Sequence, residues 1–215
     1  MISQLVEPML ILALALSFLA LGVGRIRAAT KAVAAQGVII GLLPLALHAG
    51  HAGPREWALV VVAVTVKGFV APYFLLRAMR AADIHREMRP VVGHVASLLL
   101  AAAGTGLALD FAKQLPLAEP HTDLLLVPAS LATVWCGFLL LVTRRQAILQ
   151  VLGYLVLENG VFLFGLLLQE AMPFLVEICV LMDLFTAVFV MGIIIHHINR
   201  EFATASSERL SELKG

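Results

Sequence analysis

Three ionisable residues stand where charge is expensive. Lys67, Glu158 and Asp183 each fall near the middle of an apolar run long enough to cross a bilayer. Placing one such group at the bilayer centre costs about 2.5–3.5 kcal/mol even on insertion scales. Packed helix axes lie about 8–10 Å apart, so facing midplane side chains can be bridged by one or two waters. A row of this kind can pass protons sideways within the membrane. The plainer reading is a buried ion pair between Lys67 and one carboxylate, which leaves the other carboxylate looking for a proton or a partner. Glu177 sits one turn into the last run, shallow enough to be an interfacial anchor or a point of proton entry or exit. His94, near one end of the fourth run, is of the residue type best suited to relaying protons, or can simply pack.

The remaining candidates carry less. His48 and His51 have an i,i+3 spacing at a helix end, with no acidic or thiol third ligand nearby. His196 and His197 close the last run, where cations suit the helix dipole and the lipid surface. Cys136 and Cys179 lie far apart inside apolar runs and read as small buried side chains. An iron–sulfur cluster usually takes about four cysteines. The chain is therefore expected to carry no cofactor and no metal, and any redox chemistry would belong to another subunit.

The elements that must position these residues follow from composition. Of 215 residues, 61% are hydrophobic and only 13% charged, so the fold class is all-α and polytopic within a membrane. The basic residues are scattered in small groups with no aromatic interleaving, which argues against nucleic acid. Seven runs can cross the hydrocarbon, at approximately 8–24, 31–48, 57–76, 91–110, 124–143, 146–168 and 173–195. The fourth is rich in Ala and Gly, as suits close packing, and Gly37 with Gly41 makes a GxxxG spacing that reads the same way. Around Glu158, Tyr154 and Phe162 at i−4 and i+4 are expected on the same helix face.

Orientation comes from the basic residues. Arg25, Arg27 and Lys31, then Arg77, Arg80, Arg86 and Arg89, then Arg144 and Arg145, then Arg200, Arg209 and Lys214 all fall on one side of the membrane. Only Arg55 and Lys113 lie on the other, among acidic residues. The positive-inside rule then puts the N-terminus outside and the C-terminus in the cytoplasm. Arg25 and Arg27 follow the first run instead of preceding it, so that run reads as a retained helix and not as a signal peptide. The chain divides into 1–123 (four runs and an external loop), 124–200 (three runs) and a cytoplasmic tail, 201–215, within one membrane domain.

The stretch Arg144-Arg145-Gln146-Ala147-Ile148-Leu149-Gln150-Val151-Leu152-Gly153-Tyr154-Leu155-Val156-Leu157-Glu158-Asn159-Gly160 closely resembles the hydrogenase-4 component E family. Lys67, Pro72, Pro173, the segment from Leu175 to Ile178, Asp183 and the closing Leu210 to Gly215 extend the likeness. From about 124 onward the chain is also similar to the K subunit of respiratory complex I and the C subunit of Mrp-type antiporters. The K subunit's first membrane glutamate falls at Leu155, and Glu158 lies one turn later, about 4.5 Å along the same face. Its second falls at Asp183.

The resemblance implies a membrane-arm subunit of a complex I-like ion pump in the bacterial inner membrane. Its partners would be antiporter-like and other membrane-arm subunits and a soluble hydrogenase-like arm, the latter carrying the Fe–S clusters and Ni–Fe centre. Enzyme activity would belong to the complex, with Lys67, Glu158, Asp183, Glu177 and His94 serving proton transfer. Competing readings are an autonomous cation or solute transporter, poorly served by seven runs without detectable symmetry, and a passive scaffold, which has no use for midplane charges. Cysteine-accessibility labelling should place positions 1–4, 50–55 and 113–122 outside and 80–88 and 205–215 inside. Termini on the same side would refute the seven-helix topology.

Overall fold

The computed structural model describes residues 3–47, 53–81, 91–115 and 125–168, with isolated positions 174, 178, 181–182, 185 and 192. The helices are α1 (Ser3–Gly22), α2 (Ile26–Leu47), α3 (Pro54–Val64), a π-helical segment (Thr65–Val70), α4 (Ala71–Ala81), α5 (His94–Gln114), α6 (Leu126–Thr143) and α7 (Ala147–Leu167). Because α3, the π segment and α4 are continuous, the described residues make six helices long and apolar enough to cross a membrane. There is no strand among them. The expected seventh run lies largely outside the described residues.

Each boundary has a local cause. Gly22-Val23-Gly24 ends α1, and the chain re-enters a helix at Ile26. Gly53 caps α3 and Pro54 opens it, a position where the missing N–H has no helical bond to make. Pro72 explains the π segment: it has no N–H for the carbonyl of Gly68, and its ring crowds that carbonyl. The helix widens just upstream, and the Ala71 N–H reaches back five residues to the Val66 carbonyl.

Two apolar clusters are stacked along the bundle. One, toward the end bearing Arg25, Arg80 and Arg145, joins Leu21, Ile26, Val33, Leu75, Leu140 and Leu152. The other joins Leu10, Ile40, Ala63, Leu126, Phe162 and Leu166. Between them α1, α2, the π segment, α6 and α7 each place polar side chains: Ser17, Gln36, Lys67, Ser130 with Thr133, and Glu158 with Asn159, all buried. The fold is a sandwich with a polar filling at mid-depth.

Lipid tails are as apolar as leucine, so helices associate here by close packing. Among the described residues the α6–α7 pair is the most extensive contact. A Cβ at Gly160 would lie 2.6 Å from the Val134 backbone nitrogen and 2.9 Å from the Ser130 carbonyl oxygen. Gly137 and Gly153 are equally closed in by Leu157 and by Leu140 and Leu141. On the other side of the bundle, Gly37 and Gly41 let α2 touch the backbone at Lys67 and Val64, so the GxxxG spacing is a packing device.

The fourth span differs from expectation at its start. Helix α5 begins at His94, not 91, because the preceding residues are tied to α6: the Val91 N–H donates to the Thr143 carbonyl at 2.9 Å. Arg144, which the sequence suggests as an ordinary loop cation, is only 1% exposed. Its guanidinium donates to the Leu21 carbonyl at 2.8 Å and to the Val92 carbonyl at 3.3 Å, closing the C-terminus of α1 and the entry to α5. Burial draws its pKa below the ordinary arginine value, yet arginine stays protonated at any ordinary pH. Helix α5 itself is peripheral, exposing Val95, Leu99, Leu107 and Phe111. It is held by the Trp135 indole, which donates to the Leu100 carbonyl at 2.9 Å and occupies the slot left open by Gly104.

Substituting Gly160 by Ala should lower stability by about 1–3 kcal/mol, because a methyl group there meets backbone that cannot move aside. Gly106→Ala, with nothing within 4 Å of the added carbon, should be neutral or mildly stabilising. Thermal unfolding midpoints of the two variants in the same detergent would check this, and equal midpoints would contradict it.

Candidate functional site

Lys67 lies on the π segment and is 7% exposed. Two features aim it. The π turn displaces the backbone from the α-helical path, and Gly37 of α2 allows that bulge to nest: a Cβ there would be 2.8 Å from the Lys67 Cβ and 3.0 Å from its carbonyl oxygen. The side chain reaches α7, where Nζ donates to Asn159 Oδ1 at 3.2 Å. It also lies 5.0 Å from the centroid of the Phe162 ring, close enough for cation–π attraction.

Glu158 is 7% exposed, on the same turn of α7. Lys67, Glu158 and Asn159 line one small cavity together with Val33, Val66, Ala71 and Leu155. About 10 Å³ of it is open to the centre of a water molecule, which is the least room one water needs. A carboxylate, an ammonium and space for a water at mid-depth can hold a proton and hand it on over a short distance. The geometry thus brings together the two described members of the expected row, from the third and sixth spans.

The other candidates are placed differently. His94 is the first residue of α5, beside Gly24 at the end of the bundle, and it is not part of the lining of the Lys67–Glu158 cavity. Its Nε2 is buried with no hydrogen-bond partner among the described residues. Glu177 and Asp183 lie outside the described residues, as do His48, His51, Cys179, His196 and His197. Phe162 flanks the site through its contact with Lys67, and neither it nor Tyr154 is part of the cavity lining. Leu155, one turn before Glu158 on α7, is. Among the described residues no group of three or more His, Cys, Asp or Glu comes together.

Sequence reasoning missed the neutral members of the polar layer. Asn159 Nδ2 donates to Gln36 Oε1 at 3.4 Å, and Gln36 Nε2 donates to Ser17 Oγ at 2.7 Å. Ser17 in turn donates to the Ala13 carbonyl at 3.2 Å. The signal was present: Gln36 is an amide inside an apolar run, and a buried amide without a partner costs about 1–3 kcal/mol.

Long apolar helices around a buried polar layer define a multi-pass membrane protein. The family model for NADH-ubiquinone/plastoquinone oxidoreductase chain 4L matches residues 125–215. An uncharacterised protein of Mycobacterium tuberculosis (strain ATCC 25618 / H37Rv) is 32% identical over 191 residues, covering 88% of this chain and 86% of that protein. Hydrogenase-4 component E of Escherichia coli (strain K12) is 38% identical over 79 residues, 37% of this chain and 37% of its own length. No solved structure matches the chain. Over most of its length the chain belongs to one family with the Mycobacterium tuberculosis protein, and its C-terminal part is similar to the complex I-like membrane subunits represented by oxidoreductase chain 4L and hydrogenase-4 component E.

The ring beneath the ammonium gives a direct check on the site geometry. Replacing Phe162 by Leu should cost about 2 kcal/mol, of which about 1 kcal/mol is ring–ammonium attraction. In a Lys67→Met background the cost should fall by about that second amount. Thermal unfolding of the two single variants and the double variant would measure the coupling, and strict additivity would mean that Lys67 does not rest on the ring.

Proposed function

We propose that the chain is a membrane-arm subunit of a complex I-like, redox-driven ion pump, relaying protons laterally through Lys67, Glu158 and Asp183. One observation carries the reading: an ammonium from the third span and a carboxylate from the sixth share a buried, water-sized cavity midway along the bundle. Asp183 on a seventh span would continue the row, Glu177 would serve its outer end, and His94 its cytoplasmic end. The N-terminus lies outside and the C-terminus in the cytoplasm of a bacterial inner membrane. The first four spans, the three-helix part from 124 and the tail form one membrane domain. Antiporter-like subunits would flank it, and a soluble hydrogenase-like arm would hold the Fe–S and Ni–Fe centres, with none in this chain. The likeness to hydrogenase-4 component E and chain 4L supports that setting.

Glu158→Gln keeps shape and hydrogen bonding while removing the titratable proton. In the intact complex, reconstituted at matched subunit content, coupled ion translocation should fall at least about tenfold with normal assembly. If Glu158 only neutralises Lys67, the same change strands a buried cation at a cost of about 3–5 kcal/mol. Assembly would then fail first and would return in the double variant Glu158→Gln, Lys67→Met. Near-normal translocation by an assembled Glu158→Gln complex would end the relay reading.

A further inference from the structure

The hydrogen bonds that leave the Lys67 site run in one direction. An ammonium has donors only, so Asn159 must present Oδ1 to it. That turns Asn159 Nδ2 toward Gln36, so Gln36 must present Oε1, and its Nε2 is left to face Ser17. Ser17 closes the chain on the Ala13 carbonyl. Gln36 and Ser17 are fully buried and Asn159 is 3% exposed, so bulk solvent does not compete for these links. Both amides point their negative ends toward Lys67, and each is oriented by the next.

We propose that Asn159, Gln36 and Ser17 are positioning residues for Lys67, a one-way hydrogen-bonded chain that holds its ammonium at the Glu158 cavity and anchors it to α1. Two of the three, Gln36 and Ser17, lie outside residues 125–215, the part shared with chain 4L. The N-terminal spans therefore do more than surround the carboxylate-bearing helices: they supply the cation and the amide network that fixes its place. The inference rests on the reading of Lys67 and Glu158 as relay residues for its effect on pumping, but not for the hydrogen-bond chain itself.

The test uses the full chain in lipid bilayers with ¹⁵N-labelled lysine side chains, observed by solid-state NMR. The Lys67 signal is the one that Lys67→Met removes; Lys31 and Lys113 are exposed and serve as internal references. Gln36→Met keeps length and removes both amide bonds, and it should shift or broaden the Lys67 signal. Ser17→Ala, which touches nothing at Lys67 but frees the far end of Gln36, should move the signal in the same direction by less. Ser17→Thr, retaining the hydroxyl, should leave it in place. In the assembled complex Gln36→Met should cut coupled ion translocation several-fold, and Ser17→Thr should not.

A Lys67 signal unmoved by Gln36→Met overturns the proposal. If that variant does not insert, an unmoved signal in Ser17→Ala overturns it instead, since the loss of one hydroxyl is too small to prevent folding. Failure of the relay reading looks different: Glu158→Gln pumps normally while Gln36→Met still moves the Lys67 signal.

Discussion

A single buried ammonium organises the centre of this molecule. In hydrocarbon a lysine has no water to fall back on, and the protein meets its charge with an amide oxygen, an aromatic face and the polar cavity that it shares with a carboxylic side chain. Each of those partners has requirements of its own. Asn159 needs an acceptor for its amide protons, Gln36 supplies one and then needs another, and the demand is satisfied only at a backbone carbonyl of α1. One charge thereby dictates polar residues on three other spans.

The surrounding helices must come close enough for such short side chains to meet, and small residues make that possible. Gly37 brings α2 against the π segment, while Gly137, Gly153 and Gly160 bring α6 against α7. The π segment is part of the same solution. By breaking the α-helical bond pattern upstream of Pro72, it offsets Lys67 from the regular helix path at the depth where α7 presents Asn159 and Phe162. Specificity of packing and placement of charge are one problem here.

Much of this was legible in the order of residues. Apolar runs located the six described spans to within a few residues, and the ionisable groups inside them pointed to the site, because both follow from the cost of burying charge and backbone in lipid. The neutral polar residues were harder: Ser17, Gln36 and Asn159 are unremarkable singly and gain meaning only when three helices bring them into line. Pro72 was a visible cause of the π segment and of the released Gly68 carbonyl, though the way the helix adapts, nested against Gly37 of α2, was not. Arg144 was the least readable, since it stands beside the exposed Arg145 in the same short link and only the ends of α1 and α5 distinguish them.

That arginine has a bearing on how the protein is made. The carbonyls that it caps belong to Leu21 and Val92, both synthesised well before residue 144 leaves the ribosome. Until then the Leu21 carbonyl at the end of α1 must turn to interfacial water or lipid headgroups, while the Val92 carbonyl has the Ser97 hydroxyl at 3.4 Å. The joint at this end of the bundle therefore closes late in translation, after the fifth span has been delivered, and a nascent chain halted before that point would hold its early helices in the bilayer without their common clasp.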